Sequence, residues 1–251
     1  MGEVPFKDVY FTGLIRDSQG RKMSKSLDNG IDPIEVIEEY GADALRFTLI
    51  TGNTPGNDMR FYMERVEANR NFANKLWNAT RFVFMNLEED KLKNIDEVKL
   101  ETEDRWIISR INTVAKEVQE AFDKFEIGLA AGKLYDFIWN EFCDWYIELS
   151  KPVLYGEDEK AKGVTFNVLF NVLTTGLKLL HPIMPFITEE IYTHIQDKEE
   201  TITTSKWPKY KEELRDKSAE ENMNYIIEAI KSLRNVRTEM NVPPSRKISF
   251  S

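Results

Sequence analysis

The sequence has few of the residues on which disulfide-linked and metal-binding proteins depend. Its 251 residues include one cysteine, Cys143, and two histidines, His181 and His194. A single cysteine excludes an intrachain disulfide framework. His181 has no metal-ligand partners nearby in the sequence, which favours a structural role. No N-terminal signal segment is recognisable. The sequence therefore favours a globular protein of the cytoplasm without a metal site.

An uninterrupted apolar run long enough to cross a bilayer is also missing. A membrane-spanning helix needs about 20 predominantly apolar residues. The most apolar stretch, residues 164–180, is interrupted by polar or small residues, namely Asn167, Asn171, Gly176 and Lys178. The sequence therefore predicts a core helix here and no membrane partner.

Positive charge is in deficit, since the formal net charge is −9, which argues against general affinity for nucleic acid. The distribution of charge weakens that objection. Residues 60–81 contain five cations and two anions, whereas residues 88–104 contain eight anions and three cations. A local positive face is enough for an RNA-binding protein, because phosphate contacts position the partner. An ordinary solvated helix face is the alternative interpretation of these cations.

The most informative feature present is a segment between Gly20 and Gly30. Its centre, the lysine loop (residues 22–26), reads Lys22-Met23-Ser24-Lys25-Ser26. Two ammonium groups three residues apart, with hydroxyls close by, suit the stabilisation of charge that develops on a polyphosphate. A solvated surface loop is the alternative, because lysine and serine are common in loops.

The residues around the lysine loop follow an order known from one enzyme family. Gly13-Leu14-Ile15-Arg16-Asp17 precedes the loop, and Asn29-Gly30-Ile31-Asp32-Pro33 follows it. Further segments are residues 40–47 (YGADALRF), 51–61 (TGNTPGNDMRF), 139–146 (WNEFCDWY) and 181–186 (HPIMPF). In this order the sequence closely resembles the class I aminoacyl-tRNA synthetases, in the branch for branched aliphatic amino acids. Residues 44–47 and 54–61 are most similar to the valine-specific members, and the isoleucine- and leucine-specific members are the alternative. One departure is Asp28, where relatives usually carry glycine.

The resemblance implies a mainly α fold, a helical bundle of the anticodon-binding type preceded by a remnant of an α/β catalytic domain. The expected boundaries are residues 1–31 for the remnant with the lysine loop, 32–61 for a stem-contact region, 62–217 for the anticodon-binding bundle, and 218–251 for a further helix and the start of a truncated C-terminal region. The two signatures absent from the sequence are the family's His-Ile-Gly-His run and its editing domain. We therefore expect a C-terminal piece of the enzyme, monomeric and inactive alone.

Residue patterns predict the individual elements. Residues 9–11 and 14–15 indicate a strand and its exit, from a parallel sheet whose other strands are missing. Asp32 and Pro33 predict a helix start, and Gly41 breaks that helix. Hydrophobic periodicity predicts helices over residues 63–87, 107–125, 134–150, 166–177, 185–196 and 222–240, with Trp77 on an apolar face. Weak points are expected at Gly128 and Gly132, a helix terminator at Pro152, a lid at Trp207, and a strand start at residues 247–250.

The resemblance also implies a reaction and its residues. Valine's carboxylate attacks the α-phosphate of ATP, and the acyl group then passes to the terminal ribose of the tRNA. Lys25 is the main catalytic residue, assisted by Lys22. The ATP-binding residues are Lys22, Met23, Ser24, Lys25 and Ser26. Magnesium accompanies the ATP, and no tightly bound cofactor is expected.

The expected partners are valine tRNA and, only with the missing catalytic half, ATP and valine. Candidate tRNA-binding residues are Arg46, Arg60, Arg70, Asn74, Lys75, Asn78 and Arg81. A different class of protein, a non-catalytic helical RNA-binding or interaction module, is a further alternative. The intact lysine loop argues against it, because a pure binding module has no use for an ATP loop.

Overall fold

The computed structural model describes residues 4–52, 54–85, 99–195, 201–243 and 246, and within them the chain is mainly α-helical, which confirms the expected fold class. The described helices are α1 (Pro33–Tyr40), α2 (Ala42–Thr51), α3 (Met63–Met85), α4 (Thr102–Asp123), α5 (Ile127–Asp136), α6 (Ile147–Leu154), α7 (Glu159–Leu180), α8 (Pro185–Tyr192) and α9 (Lys217–Glu239). Two short strands, β1 (Ile15–Arg16) and β2 (Met59–Arg60), lie before the bundle.

The N-terminal segment is held to the start of the bundle by these strands. β1 and β2 pair in parallel, with Ile15 opposite Met59. The strand expected at residues 9–11 is wrong, since these residues are exposed and lack a strand partner in the described part of the chain. Gly13 is required by close approach, because a Cβ there would lie 1.7 Å from the Asn57 carbonyl oxygen. The Asp58 carboxylate accepts the main-chain N–H of Leu14 at 2.7 Å and thereby reinforces the pairing.

The start of α1 follows the sequence prediction. The Asp32 carboxylate accepts the N–H of Ile34 at 2.8 Å, and Pro33 occupies the first helical position. Gly41 separates α1 from α2 with a φ of 89°, a conformation that glycine adopts readily. Val36 and Leu45 from these helices form a small core with Val66 of α3.

The main core lies between α3, α4, α7 and a continuous helical run from Ile127 to Leu154. The predicted weak points at Gly128 and Gly132 are wrong, because α5 runs through both, and Pro152 lies inside α6 rather than after it. Between α5 and α6, Phe137–Tyr146 form a π-helix, which periodicity did not predict. Its buried aromatic rings pack in the core, and the Tyr146 hydroxyl donates to the buried Asp104 carboxylate at 2.6 Å.

Helix α7 combines length with high hydropathy. It is the one described helix whose length and composition would suit a membrane span, and 61% of its most apolar window is buried inside the protein. A core helix has the same composition, and α7 packs between α4 and α6. Its burial explains the apolar run that the sequence places at residues 164–180.

The first half of α9 packs on the bundle. Ala219, Met223 and Ile227 are buried in the main core, and the Ser109 hydroxyl on α4 donates to the Glu220 carboxylate. Trp207 packs on the same core with its ring centroid 6.0 Å from that of Phe122, as expected of a lid. The predicted strand start at residues 247–250 and most of the acidic connection after α3 lie outside the described residues.

Helix α2 is joined to the corner between α7 and α8 by two charged side chains. The Asp43 carboxylate accepts the N–H groups of Phe186 and Ile187 at 3.3 and 2.6 Å, where α8 begins. The Arg46 guanidinium donates to the carbonyl oxygens of Ile183 and Pro182 at 3.0 and 3.1 Å. Main-chain groups at helix ends lack intrahelical partners. These bonds provide partners for N–H groups at the start of α8 and for carbonyl groups between α7 and α8. They fix the lysine-loop segment relative to the bundle.

We expect Asp43→Ala to lower the free energy of unfolding by about 1–2 kcal/mol, because two N–H groups at the start of α8 lose their acceptor. Asp43→Asn, which keeps one carbonyl acceptor, should lose less. Chemical denaturation measures both changes. Glu38→Ala, an exposed carboxylate on α1, is the matched control, and an equal loss in that variant would contradict this role for Asp43.

Candidate functional site

The lysine loop is a turn that begins from an extended residue. Ser24 has φ and ψ of −152° and 153°, and a short 3₁₀ turn, Lys25–Leu27, follows it. The turn ends at Asp28, whose φ of 47° lies in the left-handed region. Glycine adopts that region without strain, whereas aspartate only tolerates it. The departure noted at residue 28 therefore places an acidic residue at a position whose backbone favours glycine.

Asp17, at the start of the loop segment, is a buried hydrogen-bond acceptor. Its carboxylate accepts the main-chain N–H groups of Gln19 and Arg21 at 3.1 and 2.7 Å, and Arg21 Nε at 2.7 Å. The Asn29 amide also donates to it, at 2.9 Å. These bonds favour the ionised carboxylate and lower the pKa of Asp17 to about 2, with the Asn29 bond as the largest cause.

Asn29 contacts both the start and the middle of the loop. Besides its bond to Asp17, its amide nitrogen lies 3.3 Å from the Lys22 carbonyl oxygen, to which it donates. Its amide oxygen accepts the N–H of Ser24 at 2.9 Å. One side chain therefore holds the backbone on either side of Met23, and the Met23 side chain packs against the small core of α1 to α3.

The lysine side chains themselves point to solvent. Lys22 and Lys25 are exposed, and within the described residues neither ammonium group has an ion-pair or hydrogen-bond partner. The two serine hydroxyls lie 3.1 Å apart and bond to each other. The loop thus combines a fixed backbone with two charges available to an anionic ligand.

The predicted tRNA-binding residues on α3 divide into side chains with intramolecular partners and exposed ones. The Lys75 ammonium lies 3.8 Å above the centroid of the Trp139 ring and pairs with the Asp144 carboxylate on the π-helix. Arg70 lies over the Tyr40 ring, 5.3 Å from its centroid, and pairs with Glu67. Both cations therefore have intramolecular partners, of which only Glu67, three residues before Arg70 on the same helix, follows from sequence spacing.

Two further predicted residues, Arg46 and Arg60, lie before α3 and also have structural contacts. Arg46 donates to the α7–α8 corner described above. The Arg60 guanidinium lies against Gly20, where a Cβ would come within 3.0 Å of Arg60 Nε. Gly20 has a φ of 83°, in the left-handed region that glycine adopts readily.

The remaining predicted residues, Asn74, Asn78 and Arg81, lie exposed on one face of α3. Arg81 borders a mostly apolar groove of about 310 Å³ between α3 and α8. The groove is lined by Trp77, Thr80, Arg81, Phe84, Met85, Ile191 and His194. The sequence predicts Trp77 on an apolar face of the helix, but the residue is 38% exposed and accessible to a ligand. The exposed Trp77 ring is an additional candidate contact for RNA. The spacing of residues along α3 does not reveal it, because the groove beside the ring forms only where α8 packs near α3.

Cys143 and His181 have surroundings that favour a structural role over a chemical one. Burial raises the pKa of the Cys143 thiol to about 12, which keeps it protonated and unreactive. The His181 ring bonds to the hydroxyls of Thr188 and Thr203 at 2.7 and 3.0 Å, in agreement with its expected structural role. Over the described ranges, no group of three or more His, Cys, Asp or Glu side chains could hold a metal ion.

Comparison with known families divides the chain into two matched parts. The anticodon-binding domain of tRNA ligases matches residues 104–250. The class I tRNA synthetases (I, L, M and V) match residues 1–62, which contain the lysine loop.

Similar proteins extend over almost the whole chain. The valine–tRNA ligase of Clostridium tetani is 68% identical over 248 residues, 98% of this chain and 28% of that protein. The valine–tRNA ligase of Clostridium acetobutylicum is 64% identical over 250 residues, again 98% of this chain and 28% of that protein. The chain thus spans about 28% of the length of these relatives.

A solved structure shares the fold. The ternary complex of Agrobacterium radiobacter K84 agnB2 LeuRS with tRNA and LeuAMS aligns with a TM-score of 0.64 at 23% identity, over 84% of this chain and 25% of that one.

We expect Asn29→Ala to raise the pKa of Asp17 from about 2 toward its ordinary value, because the largest stabilising bond to the carboxylate is lost. Since the folded-state pKa lies below the unfolded one, these bonds stabilise the loop fully above about pH 4 and are lost as the pH falls toward 2. A carboxyl ¹³C NMR titration measures the shift. Gln19→Ala is the control, since Gln19 donates only through its main chain. An unchanged pKa in Asn29→Ala would rule out the assigned bond.

Proposed function

The chain belongs to the family of anticodon-binding domains of tRNA ligases, and on that premise we propose that it is part of a valine–tRNA ligase. Such an enzyme activates valine with ATP and transfers it to valine tRNA. Relatives of that name are 52–68% identical over 98–99% of the chain, which favours valine over isoleucine and leucine. The chain spans 28% of their length, so it contributes one part of the activity.

The lysine loop is the observation that carries this proposal. Its backbone is held by Asn29 and Met23, while the ammonium groups of Lys22 and Lys25 are exposed. When valine's carboxylate attacks the α-phosphate of ATP, negative charge moves onto the departing pyrophosphate. Lys25, assisted by Lys22, stabilises that charge at the β- and γ-phosphates, and Mg²⁺ enters with the ATP. The remaining ATP contacts come from Met23, Ser24 and Ser26. A non-catalytic binding module would have no use for two free ammonium groups on a fixed backbone.

Within the chain, residues 1–31 supply this loop and residues 32–61 contact the tRNA stem. Residues 62–217 form the anticodon-binding bundle, and residues 218–251 add a helix whose first half packs on it. Arg46 acts in the stem-contact region chiefly by fixing its shape, since its guanidinium donates to main-chain carbonyls. Arg60 is exposed beside Gly20 and remains a direct candidate for contact with the tRNA. The chain acts in the cytoplasm and as a monomer.

The exposed face of α3 is the proposed tRNA contact of the bundle. Arg81, Asn74 and Asn78 can meet phosphates and ribose hydroxyls directly. Trp77 offers a ring on which an unstacked base could stack beside the Arg81 guanidinium. Arg70 and Lys75 must exchange intramolecular partners before they contact RNA, so they contribute less than their charge suggests.

The activation step is tested in a chimera in which this chain replaces the matching segment of the Clostridium tetani relative. We expect valine-dependent ATP–pyrophosphate exchange by the chimera and none by the chain alone. Lys25→Ala should lower kcat by about 10²–10³-fold, because a contact made mainly in the transition state is lost. Lys124→Ala, an exposed lysine at the end of α4, is the control. Exchange that is unaffected by Lys25→Ala would contradict the proposed role of the loop.

The RNA contact is tested with the chain alone. We expect weak, salt-dependent binding of valine tRNA that is lost when Lys75 and Arg81 are both changed to alanine. Arg81→Ala alone should weaken binding and lower the slope of log K against log salt by about 1, since one phosphate contact disappears. Lys231→Ala on the exposed part of α9 should leave the slope unchanged. Equal affinity for all tRNAs would contradict the anticodon assignment.

A further inference from the structure

Asn29 joins the start and the middle of the lysine loop to the buried Asp17. It lies twelve residues after Asp17 and bonds to that carboxylate at 2.9 Å. It also bonds to the main chain of Lys22 and of Ser24, at 3.3 and 2.9 Å. Lys22 is itself one of the two lysines, and Ser24 directly precedes the other, Lys25. The positions of both lysine Cα atoms therefore depend on one amide side chain.

The chemistry of the side chain matches the three partners. An amide offers two N–H donors and a carbonyl acceptor on one planar group. The donors face a carboxylate and a carbonyl oxygen, and the acceptor faces an N–H. Aspartate at this position would place a second carboxylate beside Asp17, and alanine would leave all three partners without this bond.

The bonds of Asn29 do not involve the ammonium groups of the two lysines. Ser24 is held in the extended conformation from which the Lys25–Leu27 turn begins, and the Lys25 side chain remains exposed. Asp17 is buried and is itself fixed by the N–H groups of Gln19 and Arg21. The Asp17–Asn29 pair therefore holds the backbone in place, whereas the two ammonium groups are free to meet a ligand. Stabilisation of a transition state requires charges that are both available and correctly positioned.

We infer that Asn29, anchored on Asp17, is a positioning residue that sets where the Lys22 and Lys25 ammonium groups meet the phosphates of a nucleoside triphosphate. The inference rests on the proposed function, because it concerns the same loop. Asn29 acts through the backbone of the lysine loop and not by contact with the nucleotide. Its loss should therefore affect the rate of activation more than the binding of ATP.

The experiment measures ATP–pyrophosphate exchange in the chimera described above. We expect Asn29→Ala to lower kcat by about 10–100-fold, with KM for ATP changed by less than about threefold. Asn29→Asp, which keeps the shape but repels Asp17, should show the same pattern and serves if Asn29→Ala does not fold. Ser18→Ala, an exposed residue in the same segment, should leave both constants unchanged.

A double-mutant cycle distinguishes positioning from a general structural role. If Asn29 acts through Lys25, Asn29→Ala should cost little in the Lys25→Ala background, so that the two losses are strongly non-additive. Additive losses, or a raised KM with unchanged kcat, would overturn the inference. An active chimera that loses activity in Lys25→Ala but not in either Asn29 variant would overturn it while sparing the proposed function. A chimera without valine-dependent exchange would overturn the proposed function itself.

Discussion

The contact between α2 and the α7–α8 corner is the constraint on which the arrangement of the molecule depends. Asp43 binds the N–H groups that open α8, and Arg46, one turn later, binds the carbonyl oxygens just before that helix. Burial raises the pKa of Asp43, so its carboxylate is kept in place by two main-chain donors against a desolvation cost. Because α1, α2 and β2 carry the lysine-loop segment, this contact fixes the distance between the loop and the exposed face of α3.

Hydrogen bonds between polar side chains and main-chain groups also fix the lysine loop. Polar side chains that bond to main-chain groups hold the backbone, and the cations that a phosphate would meet are left to solvent. Asp17 and Asn29 form the inner layer, and Lys22 and Lys25 form the outer one. Some cations elsewhere are neutralised by carboxylates of the protein, as in the pair of bonds from Arg110 to Glu141 at 2.7 and 2.9 Å. The free ammonium groups of the loop differ from such paired cations in their surroundings.

Sequence reasoning succeeded where a local rule decides the structure. The cap at Asp32, the break at Gly41 and the long amphipathic α3 follow from propensity and periodicity within a few residues. It failed where a distant partner decides. The π-helix at Phe137–Tyr146 keeps the hydrophobic pattern of an α-helix, and the pairing of Lys75 with Asp144 joins residues 69 positions apart. The strand at Met59–Arg60 was missed because two residues carry no period of their own. For the lysine loop the residues were identifiable from their order, but the bond from the Ser24 N–H to the Asn29 amide oxygen depends on how the turn folds back.

The net charge of −9 is compatible with an RNA partner once the partners of each cation are considered. Long-range attraction depends on the whole charge and is weak or unfavourable here, so encounter with RNA gains little from steering. Short-range binding depends on which cations lack internal partners, and on α3 that places Arg81 ahead of Arg70 and Lys75. Phosphate contacts carry no sequence information, so discrimination among tRNAs requires a surface that meets bases. The apolar groove beside Trp77 has the aromatic ring and the adjacent guanidinium that base stacking uses, so the proposed RNA contact would place both affinity and selectivity on one face of α3.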